Sequence, residues 1–233
     1  GGAHGDFHLI VLAPNSVQEM HDHVALGFDL AFKYRNPALI LADGAIGQMM
    51  EKVVLAPQRP RKTNEEIAEE CKEWAACGKG NRKERNIITS LELQSEVMEK
   101  INQRLQAKYK ALEENEVRYE AINCDDADYV IVAFGSSARI CSATVELARA
   151  EGLKVGLLRP ITLYPFPSKV IADLAKRGVK GFLSAELNAG QMVEDVRLAV
   201  NGVAPVEHFG RQGGMMFAPD EVLAALKEKL IKK

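Results

Sequence analysis

An excess of charge of either sign is the first thing this chain lacks. Thirty basic and 32 acidic residues leave a formal net charge of -2 with histidine neutral. No global field therefore draws it to nucleic acid or to an anionic membrane. No apolar run approaches the ~20 residues that a membrane-spanning helix needs. The opening Gly1-Gly2-Ala3-His4-Gly5-Asp6 has neither the basic start nor the apolar stretch of a signal peptide. The four cysteines, Cys71, Cys77, Cys124 and Cys141, include no C-x-x-C pair, so zinc and iron–sulfur ligation find no support. Free thiols in the cytoplasm are the expected state. G-x-G-x-x-G, the Walker lysine pattern, H-E-x-x-H and the G-x-S-x-G elbow are also missing. His4, His8, His21 and His23 lie close in sequence, but His21 and His23 are two apart and face different sides of a helix.

Present instead is a chain of 233 residues with a 47% hydrophobic fraction, enough for one large or two modest packed domains. His8–Leu12 is a continuous apolar run of the buried-strand type. Ser16-x-x-Glu19 is a capping-box pattern, and it predicts a helix from Val17 to about Arg35-Asn36, before Pro37. Pro37–Ala42 reads as a second strand, Asp43-Gly44 as a turn at its end, and Met50–Leu55 as a short third strand. Strand, helix, strand is a parallel crossover. A parallel sheet needs helices on both faces, and this opening region has too few elements to supply them. The expectation is that residues 1–58 are the trailing half of a domain.

Residues 59–124 change character. Arg59-Pro60-Arg61-Lys62 is basic and extended, a solvated linker or an anion-binding patch. A short helix capped by Thr63 or Asn64 follows, with the lone Trp74 as its anchor. Ser90 to about Tyr119 reads as one long helix carrying an apolar stripe through Ile101, Leu105, Tyr109 and Leu112.

From Asp125-Asp126 onward strands and helices alternate. Strands are expected at Tyr129–Phe134, Lys154–Leu158, Gly181–Ala185 and Val206–Phe209. Helices are expected at Ala138–Ala150, at Ser168–Arg177, after Gly190, and from Pro219. Arg159–Pro167, with its three prolines, reads as a rigid connection. This is the pattern of a doubly wound α/β domain over 125–233.

In such a sheet ligands bind outside the carboxyl ends of the strands. Four residues are taken as binding or interface candidates: Asp43, which ends the Pro37–Ala42 strand of the opening region, Glu186 and Asn188 at the end of the Gly181 strand, and Arg211 in the glycine-rich loop after Val206–Phe209. Asp43-Gly44 is equally an ordinary turn dipeptide. Arg211, between glycines, carries a guanidinium suited to a carboxylate or phosphate. Gly135-Ser136-Ser137 is either an anion-holding turn or plain helix capping.

The stretches HGDFHLIVLAPNSVQEM, KYRNPALILADGAIGQMME, LEENEVRYE, LLRPITLYPFPSK, ELNAGQMVEDVRLAVNG and FGRQGG resemble the alpha-type subunit of 2-oxoacid:ferredoxin oxidoreductases, in the 2-oxoisovalerate or 2-oxoglutarate branch. The resemblance runs from the first residues to about Gly214. It implies a transketolase-like arrangement: the end of a pyrimidine-binding domain in 1–58, a connecting excursion in 59–124, and a transketolase C-terminal-like domain in 125–233. It further implies oxidative decarboxylation of a 2-oxoacid on thiamine diphosphate, with the acyl group passing to coenzyme A and the electrons to ferredoxin. A beta-type subunit would hold the diphosphate and magnesium. Iron–sulfur clusters would sit in a ferredoxin-like subunit, and a gamma-type subunit would complete the oligomer. In that family the substrate loop and the glutamate that activates the aminopyrimidine precede the region matched here, so the chain alone is expected to be inactive. A non-catalytic assembly module of such a complex is the alternative, and a self-sufficient enzyme at the Glu186/Arg211 rim a further one.

Overall fold

Ile10, Val11 and Leu12 are almost wholly buried because their strand lies in the middle of a sheet. The computed structural model describes residues 5–76, 78–80 and 84–232, so His4 and Cys77 fall outside it. Strand β1 (Ile10–Leu12) pairs in parallel with β2 (Ala38–Ile40). Its other edge pairs antiparallel with β6 (Thr162–Tyr164). Between β1 and β2 runs α1 (Val17–Tyr34), whose N-cap Ser16 accepts a hydrogen bond from the Glu19 N–H, as the sequence pattern requires.

The second sheet has five strands in the order β3-β5-β4-β7-β8. β3 (Tyr119–Ile122) is an antiparallel edge strand, whereas β4 (Tyr129–Val132), β5 (Val155–Pro160), β7 (Gly181–Glu186) and β8 (Val206–Gly210) run parallel. Period-2 alternation divides β4 between two cores. Ile131 packs with α5 (Gly135–Ala150) and α8 (Pro219–Leu226) on one face. Val130 and Val132 pack with α6 (Ser168–Arg177) and α7 (Met192–Val200) on the other. Both faces of the central strands are covered, which explains their unbroken apolar runs. A π-helical turn, Lys227–Ile231, prolongs α8 and lays Leu230 against the first of these cores.

Three expectations differ from the structure. Met50–Leu55 forms no strand. Its backbone is satisfied by a side chain instead: Gln18 of α1 accepts from the Val54 N–H at 2.7 Å and donates to the Val54 carbonyl at 3.1 Å. The long helix α4 (Ser95–Asn115) begins at Ser95 rather than Ser90 and stops short of Tyr119, which belongs to β3. There tertiary pairing with β5 overrides the helical spacing of the apolar residues. Finally, Arg159–Pro167 is more than a connection. It ends β5 and then supplies β6, so the later part of the chain lends a strand to the first sheet. Gly1–Val54 and Lys108–Lys233 accordingly form one compact unit.

Leu55–Ala107 is a second unit. In it α3 (Asn64–Glu70) starts with a full capping box between Thr63 and Glu66. The Asn86 amide donates to the Lys72 and Ala75 carbonyls and so holds the chain that follows the helix. No helix among the described residues is long and apolar enough to cross a membrane.

Candidate functional site at the carboxyl ends of the strands

Strands β4 and β7 are neighbours, yet the helices that follow them, α5 and α7, pack on opposite faces of the sheet. The carboxyl ends of these two strands are therefore the point where doubly wound sheets leave a ligand crevice. Two of the residues selected from sequence lie there.

Glu186 is the last residue of β7 and is 1% exposed. One carboxylate oxygen accepts from the Gln191 N–H at 3.0 Å and the Met192 N–H at 2.8 Å. The other accepts from the Val193 N–H at 2.9 Å and the Ser184 hydroxyl at 2.8 Å. Burial works against its charge, but the backbone donors and the Ser184 hydroxyl outweigh that and hold the carboxyl below the usual carboxylate range. The carboxylate thus fills the N-terminus of α7, where the orphan N–H groups and the helix dipole favour an anion.

Asp43 ends the β2 segment of the other sheet and caps the short helix α2 (Gly44–Gln48). One of its oxygens accepts from the Ala45 N–H at 2.9 Å and the Ile46 N–H at 3.0 Å. The other faces the start of α5, 3.4 Å from the Ser136 N–H. Burial again raises its pKa, and hydrogen bonds from Ser136 and α2 more than offset this, leaving it lowered. Gly135 holds a left-handed backbone (φ 56°) that glycine adopts without strain, and a Cβ there would make only ordinary contacts, 3.7 Å from both the Asp43 oxygen and the Pro14 carbonyl. The Gly135-Ser136-Ser137 turn therefore meets an anion, and that anion belongs to the chain. Serine does not cap the helix in the ordinary way: the N-cap is Phe134, without a side-chain bond.

Asn188 and Arg211 flank the same edge. The Asn188 side chain accepts from the Gly190 N–H at 2.7 Å and shapes the turn into α7. Arg211 is bound by its side chain to Glu221 in the first turn of α8, while its N–H donates to the Glu186 carbonyl. His208 brings its Nε2 to 3.9 Å from the Glu186 carboxylate. The structure thus brings Glu186, Asn188 and Arg211 together and sets Asp43 at the adjoining end of β4. His21 is half-exposed beside Asp22, whereas His23, two residues on, is buried.

Two buried charge clusters escaped the sequence reading. Arg159, with 2% exposure, joins the second sheet to helix α1. Its guanidinium donates to both Glu19 oxygens at 2.7 and 2.6 Å and to Glu120 at 2.8 Å. Glu116, also buried, accepts from Lys33, Tyr34 and Arg118 at 2.7, 2.7 and 2.9 Å. The capping-box signal pointed to Glu19 but not to an arginine 140 residues away in sequence.

Residues 3–121 match the family model described as pyruvate flavodoxin/ferredoxin oxidoreductase, thiamine diphosphate-binding. The chain belongs to this family. Residues 127–222 match the pyruvate:ferredoxin oxidoreductase core domain II, so the two matches follow one another in order. Ketoisovalerate oxidoreductase subunit VorB of Methanothermobacter marburgensis is 46% identical over 98% of this chain. 2-Oxoglutarate synthase subunit KorA of the same organism is 32% identical over 95% of it. The chain spans 62% and 64% of those relatives' lengths. A solved 2-oxoglutarate:ferredoxin oxidoreductase from Magnetococcus marinus shares the fold: TM-score 0.71 at 20% identity, covering 97% of this chain and 43% of that one.

Proposed function

We propose that this chain acts within an alpha-type subunit of a cytoplasmic 2-oxoacid:ferredoxin oxidoreductase, where it positions a thiamine diphosphate site rather than supplying its reacting groups. The complete enzyme would decarboxylate a branched 2-oxoacid of the 2-oxoisovalerate type, pass the acyl group to coenzyme A and reduce ferredoxin. The single observation that carries this reading is the ordered pair of family matches over 3–121 and 127–222. The 2-oxoisovalerate branch is favoured by the higher identity to the ketoisovalerate subunit, 46% against 32% for the 2-oxoglutarate subunit.

Thiamine diphosphate, once bound, supplies the carbanion chemistry of the reaction. Its diphosphate needs free N–H groups at a helix start or a glycine-rich loop. The described residues do not fit that end of the cofactor. At the switch point the starts of α5 and α7 are already occupied by Asp43 and Glu186. The start of α1 is occupied too: Glu51 accepts from the Val17 N–H at 3.0 Å. Filled helix starts support the view that diphosphate and magnesium are held by a beta-type subunit, with iron–sulfur clusters in a ferredoxin-like subunit beside a gamma-type one. In that division of labour residues 1–58 end a pyrimidine-binding domain, 59–124 connect, and 125–233 form the second domain. Asp43, Glu186, Asn188 and Arg211 then hold the edge of the interface in shape.

Co-expression with a beta-type subunit of a ketoisovalerate oxidoreductase tests this. The two should co-purify in fixed ratio, and thiamine diphosphate titrated into this chain alone should show no tight binding. Failure to co-purify, or sub-micromolar binding by the chain alone, would contradict the proposal.

A further inference from the structure

Helix α7 ends on a reactive dipeptide that the fold leaves open. Asn201 is the one asparagine in the chain that is followed by glycine. It closes α7 as the C-cap in left-handed geometry (φ 49°, ψ 44°), and Gly202 continues in the same region (φ 76°). Both residues are exposed, as is Val203 after them. The Asn201 N–H donates to the Arg197 carbonyl at 2.9 Å, and the Val203 N–H donates to the Val200 carbonyl at 3.2 Å. The Gly202 N–H, between these two, meets no acceptor among the described residues, and neither does the Asn201 side-chain amide find a partner there.

Other asparagines are held. The amides of Asn86, Asn102 and Asn115 donate to main-chain carbonyls, and Asn188 accepts from the Gly190 N–H. Asn36 precedes a proline, which has no N–H. Asp43-Gly44 has the same following glycine, but the Ala45 and Ile46 N–H groups hold its carboxylate. At Asn201 the requirements of one reaction coincide. The side-chain amide is free to turn, the following N–H is bound to nothing, and the space around Gly202 is open enough that even a Cβ would meet nothing within 4 Å.

We propose that Asn201 is a site of intramolecular deamidation. The Gly202 main-chain nitrogen attacks the Asn201 side-chain carbonyl carbon. A C–N bond forms there, the bond to the side-chain nitrogen breaks, and that nitrogen leaves as ammonia carrying the proton lost by Gly202. The succinimide that remains takes up water at either carbonyl. One route gives aspartate, and the other gives isoaspartate, with the main chain rerouted through the side chain. Water is the only co-reactant, and nothing is oxidised or reduced. Either product sets a carboxylate at the carboxyl end of α7, the negative end of its dipole. Isoaspartate also adds a methylene to the main chain between the two hydrogen bonds that close the helix. This end of α7 is opposite the one that Glu186 fills, so the inference does not depend on the 2-oxoacid reading.

Ageing the purified full chain at 37 °C, at pH 7 and at pH 9, tests this. Trypsin should release Leu198–Arg211 as one peptide, and its mass over time reads the conversion of amide to acid. This peptide should convert before those that carry Asn102, Asn115 or Asn188. It should split into two chromatographic products, of which isoaspartyl methyltransferase labels one. Conversion should be severalfold faster at pH 9, since the attacking nitrogen must lose its proton. Gly202→Ala should slow it severalfold, and Asn201→Asp should show no mass gain in this peptide. A synthetic peptide of the same sequence serves as the unfolded reference. The proposal fails if Asn201 stays intact in the folded chain while the free peptide converts, if another asparagine converts first, or if Gly202→Ala reacts as fast as the native chain. Circular dichroism shows whether Gly202→Ala keeps its fold; if it does not, the comparison of folded chain with free peptide decides.

Discussion

Replacing Glu186 with glutamine tests how much of this fold hangs on one carboxylate. The native side chain accepts four hydrogen bonds, three of them from the backbone start of α7. Glutamine keeps the shape but offers one acceptor oxygen and turns an NH₂ toward donors. One or two N–H groups of Gln191, Met192 and Val193 then lose their partner, and the amide meets them donor to donor. A buried donor left unsatisfied costs about 1–3 kcal/mol, more where the lost partner was charged. The loss of unfolding free energy should therefore be about 2–4 kcal/mol. In a unit of this size that corresponds to a fall in Tm of roughly 4–16 °C. Because the folded carboxyl is held below its ordinary range, its stabilisation is present above the unfolded pKa and is lost as pH falls through the folded one. The difference between wild type and Glu186→Gln should accordingly be largest at neutral pH and shrink in acid. Denaturant unfolding of the full chain at pH 7 and at pH 4 measures both. A variant within 0.5 kcal/mol of wild type at pH 7, on the ordinary scale of surface changes, would refute the view that this carboxylate is the cap of α7.

Other outcomes follow from the same contacts. Arg159→Met should lower unfolding free energy by about 3 kcal/mol, because it leaves the Glu19 carboxylate without its buried partner. Arg159→Met with Glu19→Gln should recover part of that loss, and a strictly additive double mutant in chemical denaturation would argue against the pairing. Gly210→Ala should destabilise by at least about 2 kcal/mol, since the new Cβ would fall on the Asn188 carbonyl; an unchanged Tm would show that this turn gives way freely. His23 is buried, and burial, ahead of its charged neighbours, pushes its pKa down. Its neutral form belongs to the folded state, so stability should be full above about pH 6.5 and decline as pH falls below it. In His23→Leu the pH 5–7 segment of that decline should flatten, and a slope unchanged from wild type would assign it to other groups.

Much of the doubly wound part was legible in sequence. Ser168–Arg177 appears as read, and the four parallel strands lie within two residues of their expected ends. There the local signals agree: apolar runs for the strands, amphipathic stripes for the helices, and Gly178 and Asn201 in left-handed geometry as stops. The reading went astray where a long-range partner decides the local state. Tyr119 has helical spacing with Leu112 but lies in β3 because β5 presents an open edge to it. Thr162–Tyr164, between prolines, carries only a weak strand signal and is extended because β1 needs a neighbour.

The candidate site divides along the same line. Asp43, Glu186, Asn188 and Arg211 were placed at strand ends by counting elements, and folding sets Glu186, Asn188 and Arg211 on one edge with Asp43, from the other sheet, beside the start of α5. Whether a carboxylate there faces a ligand or a helix start is not written in its neighbours in sequence. It depends on which N–H groups come within reach once the chain has folded. The alternation of strand and helix, the family and the carboxyl edge follow from local composition and order alone, since each depends on residues a few positions apart. The lending of β6 to the first sheet, the Arg159 bridge and the filling of α5 and α7 by the chain's own carboxylates were decided only in three dimensions. Each joins groups that meet only after the core has closed, and a hydrogen bond acts over 3 Å of space however many residues separate its ends.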